Sequence, residues 1–203
     1  SEVPRNTPAI DDEEILSGIR GWVEIETPSP DGEAVNRLAD VVQSEAAALG
    51  GQVERIPGRD GYGDILTVRS PWGGDEPGIL ILSHLDTVHA VGTLERANPF
   101  RRDGDRVYGP GIFDMKSGAY LAFYAFQHLV RSGQETPLPL TFLYVPEEEI
   151  GSPTSRQVIE DTAQQNKYVL VTEPAHDGLC CTARKGVLHV DIKIYGRPAH
   201  AGS

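Results

Sequence analysis

Three short apolar runs, GILILSH at 78–84, LTFLYVP at 140–146 and YVLVTE at 168–173, stand out from a chain otherwise patterned for helices and turns. Each is continuous rather than alternating, as expected of a strand buried on both faces. Between the first two lies SGAYLAFYAFQHLVRSG, which predicts a mostly apolar helix from Ser117 to Arg131 stopped by Gly133. Between the second and third lies TSRQVIEDTAQQN, a helix with one polar face. Strand, helix, strand, helix, strand predicts an α/β fold: a doubly wound, largely parallel sheet with helices on both faces.

Upstream, helical periodicity covers Asp12 to Ile25 and Gly32 to Leu49. In the second stretch Val35, Leu38, Val41, Val42 and Ala46 recur on one face and Gly50 and Gly51 end the pattern. QVERI and DILTVRS read as strands around the turn-rich PGRDGYGD. After Gly186 the alternating VLHVDIKIYG predicts a half-exposed strand of a different kind. Cys180 and Cys181 are adjacent, a spacing that strains a disulfide and matches no zinc-ligand pattern, and they read as strand thiols.

Charge narrows the partners. Thirty acidic residues against eighteen Lys and Arg give a net charge of −12 over 203 residues, with no basic run, which argues against nucleic acid and anionic membranes. No apolar stretch is long enough to span a bilayer, and the start SEVPRNTPAIDDEE is not a signal peptide. The expected location is the cytoplasm, although a mature exported form would look the same.

The chemistry gathers at strand ends. In open α/β sheets ligands bind beyond the carboxyl ends of the strands. The first apolar run ends in His84, Leu85, Asp86, the second in Glu147, Glu148, Glu149, and the third in Glu173. Imidazole and carboxylates suit zinc and its neighbours, and a carboxylate two residues past a ligating His can hold its other ring nitrogen. Three successive glutamates after an apolar strand are costly unless solvated or bound to a cation. In an extended segment Glu148 would face away from Glu147 and Glu149, so one acid could bind metal while its neighbour takes a proton from water. Asp114 lies in the glycine-rich GPGIFDMKSG, where the backbone can approach a ligand closely. That segment lacks the GKS or GKT of a P-loop, and no GxSxG elbow occurs.

SHLDTVH, GPGIFDMKSG, PEEEIGS, TEP and RPAHAG, in this order, resemble the M20 metallopeptidases, a family of glutamate carboxypeptidases, acylamino-acid deacetylases and succinyl-diaminopimelate desuccinylases. The resemblance runs from about Ile15 to the last residue. It implies two divalent metal ions, zinc first, with cobalt or manganese as alternatives. Asp114 would bridge them through a carboxylate followed by a cis peptide to Met115. His84 and Glu173 would complete one metal and Glu149 would serve the other. Glu148 would be the general base, Asp86 would orient His84, and His200 would reach substrate from a second domain, often across a dimer interface.

The resemblance also implies an organisation and a reaction. Residues 1–186 would form the catalytic domain without its C-terminal return, and 187–203 the start of a small α/β dimerisation domain. The return supplies a last ligating histidine in the family. Of the six histidines His89, His128, His176 and His189 fall outside ligand positions, so a damaged second metal site and an inactive fragment are expected. The segment from HLDTVH to YGPG leans toward the glutamate carboxypeptidase branch. The expected reaction is hydrolysis of an amide bond in a small peptide or N-acyl amino acid by a homodimer. An N-acyl-amino-acid deacetylase or desuccinylase, or a catalytically silent metal-binding module, is the alternative.

Overall fold

Helix α1 (Asp12–Val23) begins where the Asp11 carboxylate accepts the backbone N–H groups of Glu13 and Glu14 at 2.9 and 3.2 Å. Asp31 caps α2 (Gly32–Ala48) in the same way through Ala34 N. The computed structural model describes residues 9–186, 190–193 and 195–196.

Strands β1 (Gln52–Ile56) and β2 (Ile65–Arg69) pair antiparallel. The remaining elements are β3 (Ile79–His84), the short α3 (Thr93–Arg96), a separate ribbon of β4 (Arg101–Asp103) and β5 (Arg106–Tyr108), α4 (Ser117–Arg131), β6 (Leu140–Val145), α5 (Arg156–Gln164) and β7 (Tyr168–Val171). The main sheet has the order β1-β2-β6-β3-β7. Strands β6, β3 and β7 run parallel, and β2 is the one strand turned against its neighbours.

Helices α1, α2 and α4 cover one face, packing Trp22, Leu38, Phe123 and Phe126 against Leu66, Phe142 and Tyr144. Trp22 meets Tyr120 edge to face at 5.1 Å, fixing α1 on α4. Helix α5 lies on the other face, its Val158, Ile159 and Ala163 over Ile65, Leu80, Leu143 and Val145. The parallel, two-faced architecture expected from the apolar runs is therefore present.

Two expectations are corrected, and one element is added. The run at 168–171 forms β7, but all four residues are exposed rather than buried, because β7 is an edge strand bonded to β3 alone and no described layer covers it. Cys180 and Cys181 are exposed and lie outside any strand. The β4–β5 ribbon was not foreseen, being short, charged and mostly exposed, with no apolar alternation to reveal it. Of the strand expected after Gly186, residues 187–189 and 194 lie outside the described residues and the described ones carry no strand pairing. His200 also lies outside the described residues.

Candidate metal centre

His84 is the last residue of β3, and parallel pairing sets the ends of its two neighbours beside it: His84 is opposite Val145 of β6, and Leu82 is opposite Val171 of β7. The glutamates that follow β6 and the Glu173 that follows β7 thereby converge on one imidazole. Asp114 arrives from the turn before α4. Gly111 enters that turn with φ of +68°, and a Cβ there would lie 2.3 Å from Thr87 Cγ2, so both conformation and space call for glycine. The Asp114–Met115 peptide is cis. The buried Met115 sulfur accepts the His84 backbone N–H.

His84 is 1% exposed, and its ring is held from one side and offered on the other. Nδ1 lies 3.0 Å from the Asp86 carbonyl and 3.2 Å from Asp86 Oδ1, so Nδ1 carries the proton. Nε2 faces Asp114 Oδ1 at 3.0 Å, Glu173 Oε1 at 3.4 Å and Glu148 Oε2 at 3.9 Å. Burial alone would lower the His84 pKa, but the hydrogen bonds and charges of Asp86 and Glu173 outweigh it and lift it to about 11. Burial also raises the Glu148 and Glu149 carboxyls, with Glu173 adding to the first and Asp114 to the second.

Asp86 is fully buried and satisfied on both oxygens. It accepts the Ser29 hydroxyl at 2.6 Å and the backbone N–H groups of Glu148 and Glu149 at 3.1 and 3.2 Å. The alternation expected for the three glutamates is corrected here, because Glu148–Ile150 is a 3-10 turn rather than extended chain. Glu148 and Glu149 therefore share the site, and Glu147 turns inward. Its carboxylate accepts Thr154 N, Thr154 Oγ1 and Ser155 N at 2.9, 2.7 and 2.7 Å, capping the start of α5.

Two residues past Asp114, Lys116 is 1% exposed and donates to the carbonyls of Ile25 at 2.6 Å and Trp22 at 3.2 Å. It ties the Asp114 turn to the end of α1. Burial pushes its ammonium down to about 7, opposed by the charges of Glu26 and Asp86.

The donor set fits a divalent cation. His84, Glu148 and Glu173 offer atoms within 4.8 Å of one another, as do His84, Asp114 and Glu149. An imidazole nitrogen ringed by four carboxylates is the nitrogen-and-oxygen environment that zinc and its neighbours take. Both groups use the same His84 nitrogen, and one nitrogen serves one ion. Among the described residues the second group is then left with Asp114 and Glu149.

The centre opens into a cavity of about 580 Å³ lined by His84, Asp114, Glu148, Glu173, His176 and Arg184. Sequence reasoning missed Arg184 and His176 because no strand end or motif marks them. It missed Ser29 and Lys116 for a different reason, since their partners lie 57 and 91 residues away. His89 lines a neighbouring hollow with Asp114 and Glu149 but belongs to neither three-residue group.

The parallel strand ends collect one histidine and several carboxylates around a turn-borne aspartate, a candidate divalent-metal centre, and residues 80–199 match the model of peptidase family M20/M25/M40. The chain belongs to this family. Carboxypeptidase G2 of Pseudomonas sp. (strain RS-16) is 32% identical over 192 residues, 93% of this chain and 46% of that protein. Human carnosine dipeptidase 1 matches with a TM-score of 0.68 at 18% identity, over 78% of this chain and 38% of that one. The M20 family metallo-carboxypeptidase Sso-CP2 from Sulfolobus solfataricus matches with a TM-score of 0.65 at 21% identity, over 80% and 37%. The chain spans less than half the length of each.

Proposed function

We propose that this chain carries the catalytic residues of a hydrolase that cleaves an amide bond to release a C-terminal amino acid, as a glutamate-carboxypeptidase-like exopeptidase. The observation that carries the reading is Glu148: half-exposed in the main cavity, 3.9 Å from His84 Nε2, and with its pKa raised by burial. A carboxylate so placed beside the ligand cluster, with its pKa nearer neutrality, suits a general base.

In this reading Glu148 stays free as the base, His84, Asp114 and Glu173 would hold one ion, and Asp114 with Glu149 would contribute to a second. When bound, the ions lower the pKa of water and polarise the scissile carbonyl. Asp86 fixes the His84 tautomer and, through the N–H groups of Glu148 and Glu149, the position of the base. Glu148 takes the proton from water and passes it to the leaving amine. Arg184 and His176 line the same cavity and suit the carboxylate of the released amino acid.

The test is release of free amine by the full-length, zinc-loaded enzyme from C-terminal glutamyl peptides and a panel of N-acyl amino acids. Turnover that a chelator abolishes and zinc restores supports the reading. A folded, loaded enzyme that releases no amine from any of them overturns it. Preference for the N-acyl set over the peptides would move the assignment to a deacylase.

A further inference from the structure

Glu147 is fully buried and carries its carboxylate into the interior directly before Glu148, at the start of the turn that holds the base. Three donors meet one of its oxygens, Oε1: Thr154 N, Thr154 Oγ1 and Ser155 N. The other oxygen, Oε2, is buried with no hydrogen-bond partner, and so is the hydroxyl of Ser155. A buried carboxylate satisfied on one side only costs stability, and a well-packed apolar side chain would cost less. Such a local conflict points to a task other than packing.

The bonds show what that task is. The Glu147 carbonyl accepts Ser152 N at 3.0 Å while its carboxylate holds Thr154 and Ser155, so one residue closes the loop from 147 to 155 through both backbone and side chain. Inside the loop, the turn Glu148–Ile150 is closed by the bond from Gly151 N to the Glu148 carbonyl at 2.8 Å. Ser152 follows with φ of +54°, a left-handed conformation that a serine keeps only where its surroundings hold it. From the β3 side, Asp86 accepts the N–H groups of Glu148 and Glu149. From the α5 side, Glu147 is its counterpart. The base stands between two buried carboxylates that fix its backbone and leave its side chain half-exposed toward His84.

We propose that Glu147 is a positioning residue: its carboxylate anchors the loop to the start of α5 and thereby sets the direction of the Glu148 side chain. This rests on the reading of Glu148 as the base. The test compares the full-length, zinc-loaded enzyme with Glu147→Ala and Glu147→Gln on its best substrate from the panel above. Alanine removes the acceptor of all three donors. Glutamine keeps Oε1 and puts its amide where Oε2 has no partner. In Glu147→Ala kcat is expected to fall about tenfold or more, with KM and the affinity for the first zinc within about threefold of native. Glu147→Gln should stay within about threefold of native in all three. Asp11→Ala, which takes a capping carboxylate from the end of α1 remote from the Lys116 clamp, serves as the control and leaves kcat unchanged. Native kcat in Glu147→Ala, a loss carried by KM or zinc affinity, or a Glu147→Gln as slow as the alanine variant overturns the proposal. Should Glu147→Ala not fold, Glu147→Asp replaces it, since drawing the carboxylate back by a methylene breaks the same anchor; native kcat there overturns the proposal equally.

A second measurement separates its failure from that of the hydrolase reading. Amide hydrogen exchange is followed by NMR in the metal-free, full-length protein, with the Glu148 and Glu149 amides that Asp86 accepts as reporters. Exchange about tenfold faster at these two amides in Glu147→Ala, unchanged at Phe123 in α4 and restored in Glu147→Gln, supports the anchor even if no substrate is hydrolysed. No acceleration at Glu148 and Glu149 overturns it even in an active enzyme.

Discussion

Asp86 Oδ1 accepts the backbone N–H of Glu148 at 3.1 Å while lying 3.2 Å from His84 Nδ1. One buried carboxylate therefore positions both the imidazole that would ligate metal and the glutamate that would act as base. Asp86→Asn keeps the shape but loses charge and one acceptor oxygen. We expect zinc affinity to fall about 10–100-fold, measured by competition with a chromophoric chelator. An affinity within twofold of the native protein would show that His84 is oriented by packing alone.

Glu148→Gln keeps the turn, since Asp86 bonds the backbone of Glu148 and not its side chain. We expect zinc affinity to stay close to native while kcat falls about 10²–10⁴-fold, the range for loss of a general base. Unchanged turnover in the full-length enzyme would remove the proposed mechanism.

Lys116→Met removes the buried ammonium and leaves the carbonyls of Trp22 and Ile25 without that donor. The Trp22 carbonyl keeps the Ile25 N–H at 3.4 Å, so one acceptor, the Ile25 carbonyl, loses its donor, and the expected loss of stability is about 1–3 kcal/mol, read from urea unfolding. The Asp114 turn should loosen with it, so zinc affinity is expected to fall as well. A stable variant with native zinc affinity would show that the turn is fixed without this clamp.

Away from the centre, Arg55 bonds Asp64 and Asp40 at 2.6 Å each, and Asp64 also accepts Gly58 N at 2.7 Å. Burial would raise the Asp64 pKa, but these bonds outweigh it and hold it below the ordinary 3.8. A depressed carboxyl contributes stability that is complete above the unfolded value and is lost as pH falls through the lower folded one. Asp64→Asn is expected to destabilise by about 2 kcal/mol at pH 7, with the difference from native shrinking as pH drops below 3.8. Unfolding measured from pH 7 to pH 2.5 checks this, and a difference independent of pH would assign the effect to packing.

The sequence by itself determined the parallel core of the fold and the position of its chemistry. Continuous apolar runs of six residues at β3 and β6 fit strands buried on both faces, and parallel strands joined by helices bring their carboxyl ends together. That is why His84, Glu148, Glu149 and Glu173, scattered over ninety residues, are legible in the sequence as one candidate site. What only the tertiary structure decided depended on partners far apart or on local turn geometry. The run at 168–171 looks as apolar as the others, yet burial depends on which layers cover a strand, and β7 lies at the edge. Alternation assigned Glu148 the wrong companions because hydrogen bonds to Asp86 and a 3-10 turn set the direction of each side chain. Ser29 carries no periodic or motif signal, and Lys116 lies within GPGIFDMKSG without anything in that motif marking its partners. Their roles come from distances that the folded chain sets between segments remote in sequence.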